Sequence, residues 1–205
     1  MANAVSPSEV ASTITAGQIG KAQELLGAAL RKSNLPSEPT QLVLESQGGQ
    51  LADEYVASLR KRVEAIIDLV VRRVKVDRTR DPQEALDATG RKQYTDKSVV
   101  KAMPKGDGDE VEVCFFKLGR FVSDKDLEKE YALRALKAAD PYSLAQVNAD
   151  DPAFADEHPN GTHWQDASGD WCFAAFNRWS DEREVLVGRD DSDWVGRWWF
   201  AGLRK

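Results

Sequence analysis

The sequence predicts an α+β protein, with a helical N-terminal half followed by a β-rich C-terminal module. Three observations carry this reading. Apolar residues recur at helical steps between residues 19 and 70. From Pro159-Asn160-Gly161 onward, short apolar runs are separated by polar turn segments. All six tryptophans, Trp164, Trp171, Trp179, Trp194, Trp198 and Trp199, lie in the last quarter of the chain. So much rigid apolar surface in one place implies a tight aromatic core or a surface of binding anchors. The expected division is a helical region over 1–105 and an α+β module over 106–205.

The first stretch, 1–13, is rich in Ala, Ser and Thr and reads as loosely ordered. Ile19, Ala22, Leu25, Leu26 and Leu30 then have helical spacing, and Asn34-Leu35-Pro36 stops that helix. A short helix over 40–45 is expected to end at Gly48-Gly49. The strongest amphipathic pattern follows. Val56, Leu59, Val63, Ile66 and Val70 form a seam opposite Arg60, Lys61, Arg62 and Glu64. The seam lasts about two heptads, so it fits packing on the chain's own core or pairing with a second copy over residues 51–70.

After Asp68 the β-branched run from Val70 to Val76 predicts a strand. Asp81-Pro82-Gln83-Glu84 has the cap, the N1 proline and the N3 glutamate of a helix start, with Gly90 suited to the end. A short helix is expected over 95–103. Residues 105–109 read as a turn, and Glu110–Leu118 as a strand burying Val111, Val113 and Phe115 on one face. Ser123-Asp124-Lys125-Asp126 opens a helix expected to reach Lys137. Asp140-Pro141 and Asp151-Pro152 each open a short one. Beyond 160, strands are expected at His163-Trp164, Trp171–Phe176, 184–189 and 198–204, with Asp166–Asp170 as a hairpin loop.

Charge is uneven along the chain. The total is −6, yet residues 51–105 carry 13 Lys and Arg against 9 Asp and Glu, while 106–205 carry 12 against 21. An acidic C-terminal half is a poor partner for a nucleic-acid backbone. Arg72, Arg73, Lys75, Arg78 and Arg80 form a basic run without interleaved aromatics, so a charged solvent face is the stronger reading than phosphate contact. No apolar run has the length of a membrane span, and no signal peptide is visible at the N-terminus. A cytoplasmic protein is the default.

The motifs of common chemistries are missing. Cys114 and Cys172 sit among apolar residues and read as small buried hydrophobes, with a disulfide between them left open. His158 and His163 lack zinc-site spacing, and Asp190, Asp191 and Asp193 lack the glycine and terminal Glu of a calcium loop. There is no nucleophile elbow, phosphate loop or dinucleotide fingerprint. No cofactor, catalytic residue or metal ligand is expected. Alternatives from other classes are a carbohydrate-active enzyme with a Trp-lined cleft and a helical assembly protein.

The C-terminal segment carries the remaining signal. If 184–189 is extended, Val185 and Val187 point one way, and Leu186 and Gly188 the other. Around them Trp179, Trp194, Trp198 and Trp199 make an aromatic frame, within which small and chemically varied residues suit a contact surface. The candidate ligand-binding set is Trp179, Leu186, Gly188, Asp190, Ser192, Trp194, Val195, Gly196 and Arg197, facing a protein or carbohydrate ligand.

The stretch from Arg189 through Trp194 and Trp199 to Gly202-Leu203-Arg204 resembles the C-terminal segment of diversity-generating retroelement variable proteins. Gly161-Thr162-His163-Trp164 is similar to an earlier Gly-x-x-Trp motif of theirs. The likeness covers the last quarter of the chain, which lacks an Arg-Gly-Gly-Ser-Trp motif, and it leaves the upstream helices unexplained. It implies a C-type-lectin-like (formylglycine-generating-enzyme-like) module displaying variable residues. In that family, adenine mutagenesis of Asn-type codons yields codons that cannot encode Trp, Glu, Lys, Gln or Met. The tryptophans, Glu182 and Glu184 would then be fixed. Leu186, Gly188, Asp190, Ser192, Val195, Gly196 and Arg197 would be permitted variable residues.

Overall fold

The computed structural model describes residues 14–67, 69–190 and 192–205. The stretch 1–13 expected to be loosely ordered and Asp191 of the acidic cluster lie outside the described residues. The protein is α+β, with seven helices and one mixed eight-stranded sheet among the described residues. The chain divides into two compact units, Met1–Ala57 and Ser58–Lys205. This boundary does not coincide with the expected one at 105/106, because strands that enter the sheet begin at Val70.

In the first unit, helix α1 (Ala16–Lys32) starts at a reciprocal capping box. Gln18 donates its backbone N–H to the Thr15 hydroxyl and its side chain accepts from the Thr15 N–H. The helix ends at Ser33, and Asn34 turns the chain at φ +52° ahead of Pro36. Helix α2 (Ser37–Ile67) then runs for 31 residues and leaves this unit. The expected stop at Gly48-Gly49 does not occur. Glycine in a helix interior costs about 1 kcal/mol relative to Ala, which weakens a helix without ending it. Neither glycine takes the positive φ of a terminating residue, and Gln41–Glu45 and Gln50–Glu54 hydrogen bonds flank the pair one turn apart. No residue of α1 is buried.

The second unit is built on the sheet. In chain order its elements are β1 (Val70–Lys75), α3 (Pro82–Asp87), β2 (Lys92–Thr95), α4 (Lys97–Lys101), β3 (Glu110–Lys117), α5 (Asp124–Leu133) and β4 (Leu136–Ala138). There follow α6 (Pro141–Asp150), α7 (Phe154–Glu157), β5 (Asn160–Gln165), β6 (Trp171–Trp179), β7 (Glu182–Arg189) and β8 (Trp199–Arg204). Three helices start at the expected caps: Asp81, Ser123 and Asp140 each accept from a backbone N–H of the first turn, as Asp96 also does at α4. The start expected at Asp151-Pro152 is corrected, since α7 begins at Phe154 with Ala153 before it and no side-chain cap.

Spatial order in the sheet is β1-β3-β8-β5-β6-β7-β2, with β4 pairing on β8. Among the described residues, parallel pairs occur only where β5 meets β8 and β2 meets β7. Val70, expected at the end of the helical seam, belongs instead to β1, where it pairs opposite Phe115.

Two apolar clusters lie on opposite faces, and strand alternation assigns their members. Val113, Phe115, Ala174, Phe176, Val185, Val187 and Ala201 face one cluster, which α3, α4, α6 and α7 cover. Cys114, Phe116, Ala175 and Phe200 face the other, closed by Leu127 and Tyr131 of α5. The expectation that β3 buries one face is therefore corrected. As an inner strand with helices on both sides, it has Val113, Cys114, Phe115 and Phe116 all buried. Helix α5 also stops short of Lys137, because Ala135 adopts φ +56° and turns the chain into β4. No helix among the described residues is long and apolar enough to cross a membrane.

Candidate functional site

The α5 cover spans the β3, β8 and β5 part of its face. The outward residues Phe173, Ala175 and Leu186 of β6 and β7 meet the connection between β7 and β8. Register places Gly161, Ala175, Leu186 and Tyr94 in one row across β5, β6, β7 and β2, with Phe173 and Gly188 opposite each other in a neighbouring row. Above them lies a pocket of about 200 Å³. Phe173, Ala175 and Leu186 form its sheet wall, Asp190, Ser192 and Asp193 its loop wall, and Trp194, Val195, Trp198, Cys172 and Asp124 complete it.

The connection between β7 and β8 is pinned through Trp194. Its backbone exchanges two hydrogen bonds with Val122, of 2.8 and 3.1 Å. Its indole N–H donates to Asp124 Oδ1 at 2.9 Å. Its ring packs edge-on against Phe173, Trp198 and Phe200. Room for that ring exists because residue 161 is glycine: a Cβ there would lie 2.8 Å from the indole. Trp194 is 9% exposed, the most buried of the six tryptophans.

Beneath this anchor is a buried polar chain. Asp124 Oδ1 also meets His163 Nδ1 at 2.5 Å, and His163 Nε2 meets Glu128 Oε1 at 2.9 Å. The imidazole stacks on Trp171, 4.6 Å between centroids. Burial disfavours a charge on His163, but the hydrogen bonds to Asp124 and Glu128 outweigh it and raise its pKa. The same contact with His163 holds the Glu128 carboxyl below its ordinary value. Held between the two carboxylates, the imidazole ties the first turn of α5 to β5, and with it Asp124 under Trp194.

The structure brings Leu186, Asp190, Ser192, Trp194 and Val195 of the expected set to this one pocket. Arg197 lies outside the lining, its guanidinium over the rings of both Trp179 and Trp198 at 5.5 and 5.1 Å. Trp179 ends β6 and is 60% exposed. The two glycines differ. Gly188 has space, since a Cβ would sit 3.5 Å from Phe173. Gly196 is a point of close backbone approach, where a Cβ would come within 2.8 Å of Gly119 and Arg120 main-chain atoms. Its reading as a freely variable position is corrected: the backbone at 119–120 leaves no space for a side chain.

Val185 and Val187 face inward as alternation requires. Trp171, Phe173 and Trp199 are half-buried. Trp171 opens β6 beside the hairpin loop, Phe173 lines the pocket, and Trp199 opens β8. Asp124, Phe173, Ala175 and Trp198 belong to the site although only Trp198 was marked as frame. The Ser123-Asp124 cap motif was visible, but its role beneath Trp194 joins residues 70 positions apart.

Other candidate groups are absorbed by structure. Arg78 is half-buried against Asp140 and Ser143, Arg73 pairs with Glu112, and Arg72 lies over Phe154. Cys114 and Cys172 are free thiols in different clusters, with pKa values raised by burial. His158 stacks on Phe154 and contacts the Trp199 ring. Among the described residues no group of His, Cys, Asp and Glu converges as a metal site. Comparison with protein-family models, curated proteins and solved structures gave no match to this chain.

Proposed function

We propose that the second unit is a ligand-binding display module of the kind found in diversity-generating retroelement variable proteins, with a C-type-lectin-like fold. One observation carries the reading: fixed and accessible positions interleave around a single pocket. Trp194 and Gly196 are held by backbone contacts, Gly161 and Asp124, whereas Asp190, Ser192, Val195 and Arg197 between and beside them are exposed, and Leu186 is half-exposed. Such a frame tolerates changes at the contact positions without a change of fold, as a display surface requires. The module binds a protein or carbohydrate partner and performs no covalent chemistry. Sequencing this coding segment across a population of the source cells tests it. Substitutions should concentrate at 186, 188, 190, 192, 195 and 197, spare every Trp codon, and match a near-copy of the segment beside a reverse-transcriptase gene. Substitutions spread evenly over core and surface would refute it.

A second reading concerns assembly. Leu51, Val56, Val63 and Ile66 on α2, and Ile19, Leu25, Leu26 and Leu30 on α1, are all more than 40% exposed. Exposed large apolar residues repeated along a helix mark an association surface. We propose that the α2 seam, now ending at Ile66, pairs with a second copy of this chain.

A further inference from the structure

Resting on the display reading, we propose that the pocket beside Trp194 takes an uncharged aromatic ring, of the kind a phenylalanine side chain of a protein ligand provides. Size is the first argument. At about 200 Å³ the cavity falls below the roughly 300–1,000 Å³ typical of sites that enclose whole small molecules. An apolar cavity of about 150 Å³ already admits benzene, so one ring fits. Ring geometry is the second. Phe173 and Trp198 stand nearly perpendicular to the Trp194 indole, at 84° and 87°. A ring lying parallel to that indole is therefore edge-on to both neighbours. Offset stacking and edge-to-face contact are the arrangements aromatic pairs favour, and an aliphatic group of the same size gains neither. Phe173, Leu186 and Trp198 are only half-buried, so an entering ring also removes apolar surface from water.

The polar groups of the lining are engaged within the chain or stay in water. Asp124 accepts from the Trp194 indole N–H and meets His163. Asp190 accepts from the Ser192 N–H at 2.9 Å. Asp190, Ser192 and Asp193 are exposed on the loop wall, so they keep their hydration as a ring enters beside them. A sugar must exchange water for a protein partner at each hydroxyl, and the side chains of the sheet wall, Phe173, Ala175 and Leu186, offer none. The exposed ring otherwise suited to stack a sugar, Trp179, has the Arg197 guanidinium 5.5 Å over it. An uncharged ring gives up no hydrogen bond on entry. The lining therefore selects an aromatic side chain over both a sugar and an aliphatic one.

The test uses the full chain labelled with 15N at its tryptophan indoles, titrated with benzyl alcohol, cyclohexylmethanol and methyl β-glucoside. The first two carry the same hydroxymethyl group and differ in the aromaticity of the ring. The expected result is displacement of the Trp194 and Trp198 indole signals by benzyl alcohol at concentrations roughly threefold or more below that needed for cyclohexylmethanol, the margin an aromatic pair adds beyond buried area. The glucoside should be inert. Leu186→Phe, which fills the pocket with a ring of the chain's own, should weaken the benzyl alcohol response roughly tenfold, with Trp164 and Trp179 signals at their natural positions as the check on its fold. An undiminished response in that variant would overturn the proposal by placing the binding elsewhere. Equal response to benzyl alcohol and cyclohexylmethanol, or a response to the glucoside, in the natural protein would overturn the aromatic assignment and leave the binding-site reading standing. No response of Trp194 or Trp198 to any of the three compounds at about 50 mM, beyond the range where a ligand of this size binds a fitted site, would overturn both.

Discussion

At the residue scale, the chain from Trp194 through Asp124 and His163 to Glu128 explains why a cap motif and a lone histidine matter together. Sequence showed each alone: Ser123-Asp124 as a helix start and His163 as an isolated imidazole. Nothing local links them, because the ring reaches carboxylates 39 and 35 positions away. The pH dependence follows from the two shifts. The raised pKa of His163 contributes stability that is complete below the ordinary imidazole value and is lost as pH rises through the raised one. The lowered pKa of Glu128 contributes stability present above its ordinary value and lost as pH falls through the lowered one, reduced by solvent because that side chain is half-exposed. Stability from this pair should therefore be greatest between the ordinary carboxylate and imidazole values, about pH 4.3 to 6.5. Urea unfolding of the natural protein should show a decline above about pH 6.5, and His163→Gln should lack it. His163→Gln should also lose roughly 3–5 kcal/mol at pH 6, the cost of stranding a buried carboxylate. A variant with the same decline above that pH as the natural protein would disprove the charged-imidazole assignment.

At the element scale, the connection between β7 and β8 behaves as a strand edge pinned at intervals. Gly196→Ala should cost roughly 1–3 kcal/mol through overpacking against the 119–120 backbone, and Gly161→Ala a similar amount against the Trp194 ring. Gly188→Ala meets only ordinary contact with Phe173 and should stay within about 0.5 kcal/mol. Trp194→Ala should cost about 3–5 kcal/mol as a large-to-small change in a packed site. Asp190→Asn, Ser192→Ala and Val195→Thr should each fall within about 0.5 kcal/mol. Thermal melts of these variants separate the two groups, and equal losses in both would mean that the segment is core throughout. Much of this architecture was readable: the Asp and Ser caps, the inward Val185 and Val187, and the hairpin at 166–170 all rest on local chemistry. Strands β2 and β4 were not, being only four and three residues long. Their pairing partners are distant β7 and β8, so no local period announces them. The double burial of β3 was equally hidden, since alternating Glu and Val at its start mimics a half-exposed strand while helices far along the chain cover its second half.

At the scale of the whole molecule, the open question of stability is α1 and the start of α2. No residue of α1 is fully buried, and isolated helices of this length are marginal in water. Association with a second copy through the Val56–Leu59–Val63–Ile66 seam would cover the exposed apolar face of α2. The chain should therefore sediment above its monomer mass of 22.8 kDa at micromolar concentration. Val56→Asp should abolish association while the sheet unit stays folded, read by its tryptophan fluorescence, and Val56→Leu should retain it, a contrast that simple loss of helix would not give. A mass of one chain across the whole concentration range, or association indifferent to Val56→Asp, would refute the pairing and leave this apolar face for a different partner.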